Sequence, residues 1–95
     1  MKVADIIQEA SSRIRQELQG NCEVFLFGSF AKGNALSTSD IDIAVSAGKK
    51  IPFKTMLRIS DAIETIRTLR SIDVIDLFSV DKNFRTNILK HAKKI

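Results

Sequence analysis

Asp40 and Asp42 stand one residue apart, and Asp40 follows a Gly28-Ser29 pair by twelve positions. Strand side chains alternate between faces, so two aspartates at this spacing share one face, about 6.6 Å apart along the chain. Like charges so placed repel in a dry site, and a divalent cation between them relieves the repulsion. Hard carboxylate oxygens suit Mg²⁺ or Mn²⁺. A bare Asp-x-Asp is most often the polar face of an amphipathic strand, but acidic residues are poor strand formers. Gly28 can take backbone angles closed to other residues and lets a ligand approach closely. Ser29 offers a hydroxyl and an amide. If a helix begins at Phe30, these amides lie at its N-terminus and can hold phosphate oxygens. A phosphate-cradling turn beside paired carboxylates is what chemistry on a nucleoside triphosphate requires.

A further acid comes from Ile72-Asp73-Val74-Ile75-Asp76. Ile72 and Val74 are natural core residues, so Asp73 points to the opposite face and can join Asp40 and Asp42 as a third carboxylate. Asp76 has the parity of Ile72 and Val74. It remains a second candidate, with a strand-end or capping role of equal weight.

These residues need elements to position them. Val3, Ile6, Ile7, Ala10, Ile14 and Leu18 recur at helical spacing and predict an amphipathic helix over about 3–19, ended by Gly20-Asn21. Cys22 to Phe27 reads as a strand. Phe30 to Asn34 can make a short helix, and Leu36 to Ser39 a loop. Asp40 to Val45 alternates as a strand. Pro52 suits the first turn of a helix that Phe53, Met56, Leu57, Ile59, Ile63, Ile66 and Leu69 carry to about Leu69. Ile72 to Leu77 is a third strand, and Phe84, Ile88 and Leu89 predict a last helix to near Lys93. The Gly28–Ser39 connection is too short for a full crossover helix, so the first two strands should pair antiparallel. The expectation is an α+β protein of one domain, residues 1–95, with a small mixed sheet and a helical layer.

Gly28-Ser29, Ala31, Gly33, Ser39-Asp40-Ile41-Asp42 and the later Ile72-Asp73-Val74-Ile75-Asp76 together resemble the minimal nucleotidyltransferases of the DNA polymerase beta superfamily. The resemblance spans nearly the whole chain. It departs at Lys32, where the family usually carries Arg; the charge is kept and the bidentate fork is lost. Phe30 is also more apolar than usual. The resemblance implies helices on one face of the sheet and an open catalytic groove on the other. It implies two Mg²⁺ ions (or Mn²⁺) on Asp40, Asp42 and Asp73, with Gly28 and Ser29 holding the triphosphate and Lys32 and Ser39 as lesser nucleotide contacts. The implied reaction is transfer of a nucleotide, AMP from ATP, to an acceptor hydroxyl. Stand-alone members of this kind often act as the antitoxin of a toxin–antitoxin pair, modifying a tyrosine of a HEPN-domain toxin. The chain holds no tyrosine itself. Two alternatives stand beside this: a non-catalytic module that neutralises such a partner by contact, and an RNA-directed transferase.

Ninety-five residues suit one small domain with a thin core, so a partner or self-association could add stability. No apolar run approaches a membrane span, and Met1-Lys2-Val3 leads into an amphipathic pattern rather than a signal peptide. Cys22 is the only cysteine, which excludes an internal disulfide or a cysteine cluster and fits a cytoplasmic setting. Residues 1–79 hold ten Lys/Arg and ten Asp/Glu, so the net charge of +4 belongs to the segment from Val80 onward. That segment reads chiefly as a solvated helix face; an RNA or acidic-partner patch is the second reading. His91 lies there, far in sequence from the acids, and reads as solvated. So do Lys49 and Lys50 in their turn.

Overall fold

A computed structural model describes residues 2–36 and 38–95. The chain runs α1 (Val3–Glu17), β1 (Glu23–Phe27), α2 (Ser29–Lys32), β2 (Ile41–Ser46), α3 (Phe53–Glu64), β3 (Ile72–Asp76), α4 (Lys82–Leu89) and β4 (Lys93–Lys94). The strands form one mixed sheet in the order β3-β2-β1-β4. β1 and β2 pair antiparallel, as their short connection requires, and β1 pairs antiparallel with β4. β2 and β3 are parallel, with α3 as the crossover between them.

Alternation in β2 divides the molecule. Ile41, Ile43 and Val45 are fully buried on one face, where they meet Val24 and Leu26 of β1. Ile6, Ala10 and Ile14 of α1, one turn apart, close over this face with Ile59 and Ile63 of α3. The other face carries Asp42 and Ala44. Here Ala44, Leu77 and Ile88 form a second, smaller buried cluster, with Phe25, Phe27, Ile75 and Ala92 against it. The second face is therefore not wholly open: α4 docks on it through Ile88, against Ala44 and beside Phe27, and leaves Asp73 exposed.

Several boundaries differ from the sequence expectation, among them α2, which runs Ser29–Lys32 rather than Phe30–Asn34; three others matter most. α3 stops at Glu64 rather than near Leu69. Arg13 of α1 donates to the carbonyl of Ala62 (2.6 Å) and to the Thr65 hydroxyl, and Thr65 itself donates to Ala62 (2.8 Å). Two of these bonds satisfy the Ala62 carbonyl, one of those that a helix end leaves free, while Leu69, expected on the helix's apolar face, is fully exposed. The last helix ends at Leu89 instead of near Lys93, and Lys93–Lys94 pair with β1 as a fourth strand. Lys94 also pairs with Glu23 at 2.9 Å, so part of the basic tail is folded against the sheet edge. Finally, β2 begins at Ile41, leaving Asp40 just outside it.

Candidate active site

The β1–β2 ladder sets Phe27 opposite Asp42, and the β2–β3 ladder sets Asp42 opposite Asp73. A parallel in-register pair presents its side chains on the same face, so Asp42 and Asp73 are neighbours there. This is the pairing that parity predicts for Asp73. Gly28 follows Phe27 directly and so comes beside Asp42. Its φ of 72° is one that side chains rarely adopt, and a Cβ here would collide with Asp42 Oδ2 and stand 3.1 Å from Cγ. Gly28 is thus required twice: by its own backbone and by the carboxylate packed against it. It caps the N-terminal end of α2, whose first residue is Ser29.

Asp42 is half-buried, and the hydrogen bonds of the described residues bring it no donor. Its carboxyl is pushed above the usual range, first by burial, then by the charge of Asp73, then by that of Asp40. Asp42 therefore lies within reach of the charges of both Asp73 and Asp40. Asp40 is exposed in the turn that leads into β2. Among the described residues no three His, Cys, Asp or Glu side chains close into a metal cage. The donor set fits a divalent cation as an open edge: hard, mutually repelling oxygens on one side, with water and substrate phosphates left to complete the shell.

The Asp40 turn is held by a residue that has no motif to announce it. Arg70 donates to the carbonyl of Ser39 at 3.0 Å, and its guanidinium sits 5.4 Å over the ring of Phe30 in α2. One side chain thus ties the Asp40 turn to the helix that follows Gly28. Ser71 adds a carbonyl that accepts from Ile41 N at 2.9 Å. Ser39 is used within the turn, its hydroxyl accepting from Leu36 N at 2.8 Å.

Asp76 lies elsewhere. It is 4 % exposed, opposite Val45, with the parity of the helical face. Its Oδ2 accepts from Ile51 N (2.7 Å) and Ser79 Oγ (2.9 Å), and its Oδ1 from Phe78 N (2.9 Å). Of the two roles open to it, the structure displays the local one: it anchors the loop before α3 and the turn after β3.

Lys32 is exposed and lines a hollow beside Gly28 whose other wall comes from α4. His91, remote in sequence, lines the same hollow. The link exists only because Ile88 docks α4 on this face. A surface groove of about 630 Å³ along α1 and Ile95 contains none of the acids. Its lining is mainly apolar and offers no such chemistry.

The sequence profile of the family "Polymerase beta, Nucleotidyltransferase" matches residues 12–95. The chain is a member of that family. It is 31% identical over 83 residues to a protein of Methanocaldococcus jannaschii named "putative protein adenylyltransferase", covering 84% of this chain and 95% of that one. A solved structure described as a "putative minimal nucleotidyltransferase" superposes with a TM-score of 0.75 at 20% identity, over 100% of this chain and 97% of the other. A second, of a toxin–antitoxin with AMP-PNP, superposes with a TM-score of 0.60 at 24% identity, over 87% and 69% of the two chains. The nucleotidyltransferase fold and the class of enzyme follow from these likenesses. No described helix is long and apolar enough to cross a membrane.

Proposed function

We propose that this nucleotidyltransferase moves AMP from ATP to a tyrosine hydroxyl on a HEPN-domain toxin, acting as the antitoxin of a cytoplasmic pair. The observation that carries the reading is the Asp42–Asp73 pair on adjacent strands, with Gly28 directly after β1 packed against Asp42. The Methanocaldococcus jannaschii relative supports the adenylyl donor and the protein acceptor through its name. The toxin–antitoxin structures among the chain's likenesses support the setting.

In this reading Asp40, Asp42 and Asp73 would hold two Mg²⁺ ions. When bound, these would offset the charge of the phosphates and acidify the acceptor hydroxyl. Asp73 lies at the open edge of the sheet and takes the hydroxyl proton. The freed oxygen attacks the α-phosphorus in line. An oxygen–phosphorus bond forms, the α–β phosphoanhydride bond breaks, and pyrophosphate leaves with the bonding pair. Gly28 and Ser29 hold the triphosphate, and Arg70 keeps Asp40 in place beside them.

The test is transfer of label from α-labelled ATP, with Mg²⁺, to a HEPN-domain partner. The wild type should label the partner on tyrosine, located by mass spectrometry, and Asp42→Asn should not. If neither protein transfers label, or both transfer it equally, the assignment fails. Equal neutralisation of the toxin by both, without label, would put the contact-only alternative in its place.

A further inference from the structure

We propose that α4 and the turn after it supply the far wall of a subsite for the terminal phosphates of the nucleotide, with Asn87 and His91 facing Lys32 across it. The proposal rests on the nucleotidyl-transfer reading above. It begins from the hollow beside Gly28, about 120 Å³, walled by Lys32 of α2 on one side and by Phe84, Asn87 and His91 on the other. Phe84 and Asn87 lie three residues apart on the helix that Ile88 anchors, and His91 lies in the turn that follows it. Asn87 and His91 are exposed, and neither side chain has a hydrogen-bond partner among the described residues. Their donors are free, and they converge with a lysine beside a glycine whose own geometry is fixed by Asp42.

The reaction's geometry says which part of the nucleotide belongs there. In-line displacement puts the leaving group opposite the attacking oxygen. The proton acceptor Asp73 is on β3, Asp42 on β2, and the hollow borders the end of β1. Two strand spacings, about 10 Å, separate Asp73 from the hollow. An oxygen attacking from the Asp73 side therefore drives pyrophosphate toward Gly28 and α4. Size agrees: the hollow is smaller than the roughly 300 Å³ at which small-molecule pockets begin, and so suits a phosphate group rather than a nucleoside. Its donors are a cation, an amide N–H and an imidazole N–H, which match phosphate oxygens.

Binding of ATP, AMP and inorganic tripolyphosphate, each with Mg²⁺, tests this in the full chain by calorimetry. Asn87→Ala and His91→Ala should each weaken ATP and tripolyphosphate roughly tenfold, the effect of losing a hydrogen bond to a charged group, and leave AMP unchanged. Asn87→Asp keeps the size and adds repulsion, so it should weaken both at least as much. Thermal melts check that each variant is folded. If the wild type binds ATP and tripolyphosphate and all three variants match it, the subsite is wrong while the transfer reading stands. A parallel loss of ATP and AMP would place α4 against the nucleoside and overturn the proposal. A wild type that binds neither ATP nor tripolyphosphate overturns the transfer reading and the subsite together.

Discussion

Asp42 and Asp76 sit on adjacent strands of one sheet, and the protein treats them in opposite ways. Asp76 is 4 % exposed and accepts three hydrogen bonds, two from backbone amides. Asp42 has no donor among the described residues, has a glycine's bare backbone against it, and faces the charges of Asp73 and Asp40. The first carboxylate is settled by its surroundings and holds loops together. The second is left without compensation, as the cation-ligand role proposed for it requires. Strand parity separates them: Asp76 falls on the face that α1 and α3 cover, Asp42 and Asp73 on the face that α4 covers only in part.

The sharpest stability difference should come from the settled acid. Asp76→Ala leaves the amides of Ile51 and Phe78 without their acceptor and should cost about 2–4 kcal/mol in urea denaturation. The folded fraction should still bind nucleotide. A variant as stable as wild type would erase the contrast.

Gly28→Ala should follow. A methyl here meets both a left-handed backbone and Asp42, so about 1–3 kcal/mol of stability is at stake. Unlike Asp76→Ala, it should also abolish Mg-nucleotide binding, because the methyl displaces the Asp42 carboxylate. Retained binding would show that Asp42 is not part of the site.

Arg70→Ala should cost about 1 kcal/mol from its bond to Ser39 and its contact with Phe30. It should raise the KM for Mg-ATP by loosening Asp40, with partial recovery in added guanidinium at low concentration. An unchanged KM would reduce Arg70 to a surface contact.

Much of this contrast was legible beforehand. Alternation in Asp40–Val45 and the apolar Ile72 and Val74 assign Asp42 and Asp73 to a common face, because period two is a local property of strands. The antiparallel β1–β2 pair follows from a connection too short for a crossover. β4 was not legible: Lys93 and Lys94 carry no apolar alternation, and their pairing with β1 is decided by the fold around them. Arg70 was hidden for a similar reason, since a guanidinium that bonds a carbonyl 31 residues away leaves no pattern. Nor could spacing alone say that Ile88 would bring α4, and with it His91, to the side of the acids.

The smallest effect has an unusual sign. Burial and like charge raise the folded-state pKa of Asp42 above its unfolded value, so the folded form binds the extra proton more tightly. Below the unfolded value, about 3.9 for an aspartate, both states are protonated and this acid's contribution to stability is fully present. As pH rises through the raised folded value that contribution is lost. Without divalent cations, Asp42→Asn should therefore melt slightly higher than wild type at neutral pH, and the gap should close in acid. A lower melting temperature at neutral pH would mean that Asp42 is a stabilising residue like Asp76.

Manganese binding in the presence of ATP, followed by electron paramagnetic resonance on the wild type, Asp42→Asn and Asp76→Asn, tests the central contrast most directly. Wild type and folded Asp76→Asn should bind the ion alike, and Asp42→Asn should lose it. Equal binding by all three, or loss in Asp76→Asn with binding kept in Asp42→Asn, would contradict the account.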